Sequence, residues 1–142
     1  MQITVKETRD LDYEKVVDIF YEVKFLKNPN KREIYKKTIE KAFKNSQYVV
    51  SAWDGNKLIG FARVITDGSL FATIWNMLIK PEYQKQGIGK QLIRKCLNKY
   101  PECYFFLFGD KKVVSFYQKS GFEIHRFGMY LKDGPKRCIT YN

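Results

Sequence analysis

The sequence predicts an α/β (α+β) fold in which a mixed, mostly antiparallel sheet of about six or seven strands is flanked by about four helices. Alternating apolar segments separated by short turn signals indicate antiparallel strands. Amphipathic segments with helical spacing stand before and after these strands. In the second half, a succession of strand, helix and strand predicts two neighbouring parallel strands within the same sheet.

Length and composition fit one domain over residues 1–142. The chain is 44% hydrophobic and 16% aromatic, which supplies a sizeable core and argues against disorder. No apolar run approaches the roughly 20 residues that span a bilayer. Charges at Lys6, Glu7, Arg9 and Asp10 interrupt any secretory core at the amino end. We therefore expect a cytoplasmic protein without a membrane partner.

Two helices follow a first strand over Gln2–Lys6. Asp12 is the expected N-cap of the first helix, and Asn28-Pro29-Asn30 ends that helix. The second helix runs from about Lys31 to Lys44. Its apolar side is predicted to comprise Ile34, Tyr35, Thr38, Ile39, Ala42 and Phe43.

Three antiparallel strands come next. The strands Tyr48–Trp53 and Lys57–Ile65 are joined by Asp54-Gly55-Asn56, a tight hairpin signal. Asp67-Gly68 then turns the chain into a strand that ends at Ile79. These three segments predict an antiparallel meander.

The chain after the meander supplies the parallel part of the sheet. An apolar stripe from Ile88 to Tyr100 predicts a helix that Pro101 closes. The nearly continuous apolar run Cys103–Phe108 is typical of a strand covered on both faces. The remaining predicted elements are a short helix lined by Val113, Phe116 and Tyr117 and ended by Gly121, and the strands Phe122–Tyr130 and Cys138–Tyr141.

A glycine-containing loop, Gln84-Lys85-Gln86-Gly87-Ile88-Gly89-Lys90, lies between the meander and this helix. Gly87 and Gly89 can adopt backbone angles closed to other residues and leave main-chain N–H groups accessible. The helix N-terminus adds unpaired N–H groups and a positive dipole end, so the loop is expected to bind phosphate. The chain contains neither G-x-x-x-x-G-K-[ST] nor G-x-G-x-x-G, which disfavours both common nucleotide loops.

The loop spacing Q-x-x-G-x-G resembles the pyrophosphate-binding signature of the GNAT superfamily of acetyl-CoA-dependent N-acetyltransferases. A second segment, Phe116-Tyr117-Gln118-Lys119-Ser120-Gly121-Phe122, is similar to the family's F-Y-x-x-x-G-F motif. Within the superfamily, the run from Ala72 to Gln84 looks closest to bacterial and plastid-type arylalkylamine (serotonin-like) acetyltransferases. The resemblance implies a GNAT fold over essentially the whole chain, with the two parallel strands splayed apart.

The resemblance also implies a binding site for acetyl-CoA as cosubstrate. Its pantetheine arm would bond to the backbone of Met77, Leu78 and Ile79 in the splay. Tyr117 matches the family tyrosine that reaches the thioester sulfur and is the candidate acid for the departing thiol. Asp110 stands where many relatives contact the coenzyme, although capping of the following helix is the stronger expectation. The diphosphate would be bound by Gln84, Lys85, Gln86, Gly87, Ile88, Gly89 and Lys90.

The general base is not identified by the sequence. Asn76 occupies a position that usually carries aspartate in those relatives; an amide cannot usefully accept a proton but can orient a water or the amine. A base acting through water, helped by Asp67 or Glu82, is the hypothesis that remains. Three cysteines, Cys96, Cys103 and Cys138, lack C-x-x-C spacing, and the only histidine is His125. We therefore predict reduced thiols, no metal, and direct transfer rather than a covalent acetyl-cysteine.

The formal net charge is +11, and five basic but no acidic residues lie between Gln84 and Pro101. This positive field is expected to attract coenzyme A, with Lys85 and Lys90 as the main contributors. Nucleic acid is not the expected partner, because the aromatic residues mainly follow apolar strand and helix patterns.

The predicted function is acetyl transfer to a primary amine of a small molecule, an aromatic amine being one candidate. The alternatives are acetylation of peptide or protein lysines or N-termini, and a noncatalytic acyl-CoA-binding or nucleic-acid-binding module. A homodimer through the sheet edge near Lys136–Tyr141 is a further hypothesis.

Overall fold

A computed structural model describes residues 1–131 and 139 of the chain. Contacts divide the chain into two compact units, Met1–Leu107 and Phe108–Asn142. In chain order the elements are β1 (Ile3–Glu7), α1 (Tyr13–Glu22), α2 (Arg32–Lys44), β2 (Tyr48–Asp54), β3 (Lys57–Thr66), β4 (Phe71–Ile79), α3 (Ile88–Lys99), β5 (Tyr104–Phe106) and α4 (Val114–Lys119). None of the helices in the described residues combines the length and apolarity needed to cross a bilayer.

The sheet of the first unit has the order β1-β2-β3-β4-β5. The first four strands pair antiparallel, and β4 pairs parallel with β5, as predicted. The described residues thus form five strands, so the prediction of six or seven is corrected. Phe122–Tyr130 forms no strand. The predicted strand Cys138–Tyr141 lies outside the described residues except for Ile139.

The segment Phe122–Tyr130 contains a turn at residues 126–127 and pairs with no described strand. The ring Nδ1 of His125 accepts the main-chain N–H of Phe127 at 3.3 Å, a short-range bond that competes with strand pairing. Phe127 and Met129 are 81% and 88% exposed. Without a partner among the described strands, apolar composition was insufficient to form a ladder here.

The α1 and α2 helices cover one face of the sheet around an aromatic cluster of Phe20, Phe43 and Phe61. These rings lie 5.3–6.4 Å apart between centroids, and all three are essentially buried. The Asp12 carboxylate accepts the N–H of Glu14, which confirms Asp12 as the N-cap of α1.

The α2 helix buries less than its sequence predicted. Only Ile39 and Phe43 are buried, whereas Ile34 is 58% exposed and Thr38 is also exposed. The first turns of α2 instead meet α1 through ion pairs that Arg32 makes. Polar contacts take the place of an apolar stripe in that half of the helix.

The α3 helix packs on the opposite face of the sheet. Phe61 points to the α1–α2 side, and Val64, three positions along β3, points the other way. Tyr48 pairs with Val64 and contacts Tyr100 at the end of α3, with ring centroids 6.2 Å apart. The buried residues of α3 are Ile88, Leu92, Ile93 and Cys96.

The β5 strand is shorter and more exposed than predicted. It comprises three residues, of which Tyr104 and Phe106 are 67% and 42% exposed. Because β5 is the edge of the described sheet, the expectation of a strand covered on both faces is wrong for these residues.

In the second unit, α4 ends in a hydrogen-bonded αL cap. Gly121 has φ +97°, its N–H bonds to the Gln118 carbonyl, and the N–H of Phe122 bonds to the Tyr117 carbonyl. The rings of Tyr117 and Phe122 also meet edge to face at 5.9 Å. These bonds and the apolar contact define a Schellman motif and confirm Gly121 as the residue that ends the helix.

Candidate active site

A β-bulge interrupts β4 at Asn76. Phe61 pairs with Leu78 and Arg63 pairs with Trp75, so β4 has one residue more than β3 in this interval. Asn76 has φ +52°, a left-handed conformation that asparagine tolerates better than most residues. The bulge turns the strand just before the segment from Met77 to Ile79.

Among the described residues, no strand lies beside the edge of β4 beyond this point. Parallel pairing with β5 covers only Phe71–Thr73, opposite Tyr104–Phe106. Beyond Thr73, β4 pairs with β3 at Ile74, Trp75, Leu78 and Ile79, and with no other described strand. The two parallel strands therefore part after Thr73 and leave an open edge in the first unit.

Hydrogen bonding decides which main-chain groups face the open edge. The N–H of Lys80 donates to the Ile59 carbonyl at 2.8 Å, so Lys80 faces β3. The direction of the main-chain N–H and C=O groups alternates along a strand. Those of Leu78 therefore also point towards β3, whereas those of Met77 and Ile79 point towards the open edge. The side-chain amide of Gln84 donates to the Ile79 carbonyl at 2.9 Å. Gln84 thus ties the loop to the end of the strand.

The loop that follows β4 presents the amino end of α3. Gly87 is the N-cap of this helix, with φ +83°, and no side chain caps the exposed main-chain N–H groups. Lys85 is also left-handed, with φ +62°. The buried side chain of Ile88 anchors the helix start, and the Gln86 amide donates to the Glu82 carbonyl at 3.1 Å. The amino end of α3 therefore presents main-chain N–H donors that suit an anion, in a loop held by these contacts.

Asn76 is held by Arg63, a residue that the sequence analysis missed. Its Oδ1 accepts the Arg63 Nε–H at 2.7 Å, and Arg63 Nη1 donates to the Ser46 hydroxyl at 3.2 Å. Since an arginine can only donate, the Asn76 oxygen faces Arg63 and the amide NH₂ remains for another partner. The only sequence signal was a charged residue in an otherwise apolar stretch of strand.

The two acidic residues considered as helpers of a base have other roles. The Asp67 carboxylate accepts the N–H groups of Ser69, Leu70 and Phe71 at 2.6–3.3 Å. These bonds hold the pKa of Asp67 below its usual value, so Asp67 is a hairpin-turn residue and a weak base. Glu82 is more than half exposed and lies 3.8 Å from Lys57.

The second unit carries Asp110 and Tyr117. The Asp110 carboxylate accepts the N–H of Lys112 at 2.9 Å, but Val113 is the N-cap of α4. Asp110 therefore caps the turn that precedes α4 and is not the N-cap of the helix itself. Tyr117 packs between Phe116 and Phe122, with ring centroids at 5.0 and 5.9 Å.

Cys96 is a structural thiol. It is fully buried in α3, and burial raises its pKa to about 12. Because the thiolate is the nucleophilic form, Cys96 is unsuited to carry an acetyl group near neutral pH. Within residues 1–131 and 139, no cluster of His, Cys, Asp and Glu is arranged to hold a metal ion.

A mixed sheet whose parallel strands part, followed along the chain by an uncapped helix N-terminus, is an α/β arrangement suited to an extended, phosphate-bearing ligand. Residues 7–129 match the model of the acetyltransferase (GNAT) domain family. The chain belongs to this family, whose members use acetyl-CoA as cosubstrate.

Individual relatives agree with this assignment. The chloroplastic GCN5-related N-acetyltransferase 2 of Arabidopsis thaliana is 47% identical over 70 residues, covering 47% of this chain and 27% of the relative. An uncharacterized ycf52-like N-acetyltransferase of Prochlorococcus marinus is 33% identical over 129 residues, covering 86% of this chain and 68% of the relative. The chain thus spans about a quarter of the plant protein and two thirds of the cyanobacterial one.

A solved structure matches over nearly the full chain. The GNAT family acetyltransferase from Streptococcus pneumoniae has a TM-score of 0.80 and 27% identity, covering 93% of this chain and 98% of its own. The GNAT fold is therefore shown.

Proposed function

We propose that the chain transfers the acetyl group of acetyl-CoA to a primary amine of a small molecule by direct attack in a ternary complex. The observation that carries this proposal is the open edge of β4, which ends at the uncapped amino end of α3. A ligand with two amides and a diphosphate matches that order of donors and acceptors.

In this proposal, the first unit binds acetyl-CoA mainly through its main chain. Met77 and Ile79 offer strand groups to the pantetheine amides, and the groups of Leu78 remain with β3. The N–H groups at Gly87, Gly89 and Lys90 hold the diphosphate, with the charge of Lys85 nearby. Gln84 acts by fixing the loop against β4, as its bond to Ile79 supports.

The chemistry requires a neutral amine and a protonated leaving group. A free alkylamine has a pKa of about 10.4, so its proton must leave to solvent before attack. As the C–N bond forms and the C–S bond breaks, Tyr117 would donate its phenol proton to the sulfur and regain one from the solvent afterwards. Once the C–N bond has formed, the nitrogen must lose a second proton, and a water held by the NH₂ of Asn76 would accept it.

The proposal further specifies that the acceptor amine is aromatic. The kinship with arylalkylamine acetyltransferases rests on the sequence resemblance alone. On the α1–α2 side, Phe25 is 43% exposed and lies 5.2 Å from Phe20, which offers one aromatic surface. Acetylation of protein lysines is the competing function, because a soybean relative covering 58% of this chain is named a histone acetyltransferase.

Calorimetry and an amine panel test the proposal together. We expect purified protein to bind acetyl-CoA and to release free thiol when small primary amines are added. Absence of acetyl-CoA binding by the folded protein would remove the whole assignment. Turnover on peptide or protein lysines alone would instead replace the acceptor class.

Two further expectations remain proposals. A cytoplasmic location rests on Cys96 and Cys103, which form no disulfide and so suit a reducing compartment. Relatives named as chloroplastic make the plastid stroma the alternative. The homodimer proposed through Lys136–Tyr141 involves residues outside the described part except Ile139, and sedimentation analysis would test it.

A further inference from the structure

Arg63 places a charge within an apolar strand. Its neighbours Ala62 and Val64 are fully buried, and its guanidinium lies 5.7 Å from the ring centroid of Phe43. Burial lowers the pKa of Arg63 below its usual value, yet an arginine stays charged near neutral pH. A charge in such surroundings is costly unless it has partners.

All hydrogen-bond partners of this guanidinium among the described residues are neutral. Nε–H donates to the Asn76 amide oxygen and Nη1 donates to the Ser46 hydroxyl. No carboxylate of residues 1–131 lies within ion-pair distance of Arg63. By contrast, the more exposed Arg32 holds both Glu14 and Asp18 at 2.8 Å. Arg63, the less solvated of the two cations, is thus the one without an anionic partner among the described residues.

The guanidinium of Arg63 also has unused donors. Two of its five N–H groups bond to Asn76 and Ser46, which leaves three for another ligand. In the described part of the chain, every fully buried side-chain nitrogen or oxygen has a hydrogen-bond partner. Nη2 has no hydrogen-bond partner among the described residues, so it is at least partly exposed to solvent.

The position of Arg63 connects these donors to the reaction. Nε is bonded to Asn76, the bulge residue that precedes the open edge of β4. Only the Asn76 side chain would therefore separate an anion bound by the remaining N–H groups of Arg63 from β4, the strand proposed to hold the thioester arm. A planar guanidinium is well suited to bidentate binding of a carboxylate or phosphate.

We propose that Arg63 binds an anionic group of the acceptor, so that the preferred acceptors are compact amines that also carry a carboxylate or a phosphate. This inference rests on the proposed acetyltransferase function and defines its substrate class. It disfavours lysines in basic peptides, because an uncompensated cation beside the acceptor repels them. The alternative is that Arg63 only braces Ser46 against Asn76.

Matched acceptors and a charge-removing variant separate these roles. Each amino acid in the panel is compared with its carboxamide and with its decarboxylated amine, and an aminoalkyl phosphate with the corresponding amino alcohol. For the wild type we expect kcat/KM at least tenfold higher for the anionic member of each pair. Because Arg63 also orients Asn76, the readout is the ratio of the two kcat/KM values in each pair and not the rate with either member. In Arg63→Gln this ratio should fall about tenfold or more, through the KM of the anionic member, with acetyl-CoA affinity unchanged.

Arg9→Gln is the matched control. Arg9 donates to the main-chain carbonyl of the same Ser46 at 3.0 Å, so its loss perturbs that residue without removing the charge beside Asn76. The control should retain the preference for anionic acceptors, and Arg63→Lys should retain part of it. If one anion class alone shows the preference, that class identifies the acceptor as a carboxylate or a phosphate.

The outcomes distinguish the inference from the function on which it rests. Equal turnover of charged and neutral members, or equal losses for both in Arg63→Gln, overturns the inference and leaves the acetyltransferase intact. If acetyl-CoA binds but no amine reacts, the proposed function fails. The inference is then tested by the melting temperature in the presence of each anionic compound and of its neutral partner. A larger increase with the anionic compound that is lost in Arg63→Gln supports the inference, and equal increases with both compounds refute it.

Discussion

Gly87 sets the shape of the phosphate loop through its backbone and not through lack of space. Its φ of +83° lies in the left-handed region, and a Cβ placed on it would meet no atom within 4 Å. A larger residue is therefore penalised by conformation alone. This makes the position a clean probe of whether the loop geometry matters for binding.

Gly87→Ala should weaken acetyl-CoA binding about tenfold, because the free loop would relax from a left-handed conformation that costs alanine roughly 1–2 kcal/mol and binding would have to restore it. Isothermal calorimetry measures the change. Gly55→Ala is the control, since Gly55 has φ +59°, equally open surroundings and a place in the β2–β3 hairpin. Equal effects of both changes on affinity would show that the α3 N-terminus does not bind the coenzyme.

Tyr117→Phe should lower kcat by about 10²- to 10⁴-fold, the usual contribution of a positioned acid, with acetyl-CoA affinity nearly unchanged. Phenylalanine keeps the ring contacts with Phe116 and Phe122, so the fold of α4 should persist. Steady-state kinetics and calorimetry provide the two readouts. Tyr104→Phe, on the exposed β5 strand, should change neither. An unchanged kcat in Tyr117→Phe would exclude the phenol as the acid.

At the scale of elements, an ion-pair cluster joins α1 to α2. Glu14 lies 2.8 Å from both Arg32 and Lys36, and Arg32 also holds Asp18. Hydrogen bonds from Lys36 and Arg32 lower the pKa of Glu14 to about 2. The cluster therefore stabilises the helix pair only while Glu14 is ionised.

Glu14→Gln should lower the melting temperature at pH 7, with a difference from wild type that disappears in acid. The folded-state pKa is depressed, so the contribution is fully present above the unfolded value of about 4.5. It is lost as the pH falls towards 2. Thermal unfolding followed by circular dichroism across this range measures it. Glu33→Gln, on α2 but outside the cluster, should show no such trend. A difference in melting temperature between Glu14→Gln and wild type that stays constant across this pH range would contradict the prediction.

Local patterns in the sequence predicted the elements that local forces determine. The cap at Asp12, the hairpin after Asp54 and the glycine loop each depend on neighbouring residues, and all were recognisable. Errors arose where a partner decides the outcome: Phe122–Tyr130 lacks a described neighbouring strand, and α2 meets α1 through charges. The Arg63–Asn76 bond joins two strands through a bulge that no periodicity reveals.

At the scale of the whole molecule, the net charge of +11 should make coenzyme binding sensitive to salt. Raising NaCl from about 0.05 to 0.5 M should weaken acetyl-CoA affinity, because screening reduces the attraction of its phosphates. Calorimetry in a salt series gives the slope. The double change Lys85→Gln and Lys90→Gln should flatten that slope.

A second pair of lysines provides the control for this charge prediction. Lys37→Gln together with Lys41→Gln removes the same charge from the exposed side of α2, away from the loop. This pair should leave the salt slope nearly unchanged. If both pairs reduce the slope equally, attraction depends on total charge and not on charge at the loop.

The extra residue at Asn76 also restricts how β4 can change in length. Side chains alternate between the faces of a strand, so the surplus position resets which face each residue occupies. Deleting one residue between Thr73 and Asn76 would remove this surplus and leave a regular ladder with β3, so the turn of the strand at Asn76 would be lost, whereas substitutions leave the bulge in place. Natural variation in this stretch should therefore occur by exchange of amino acids and not by insertions or deletions.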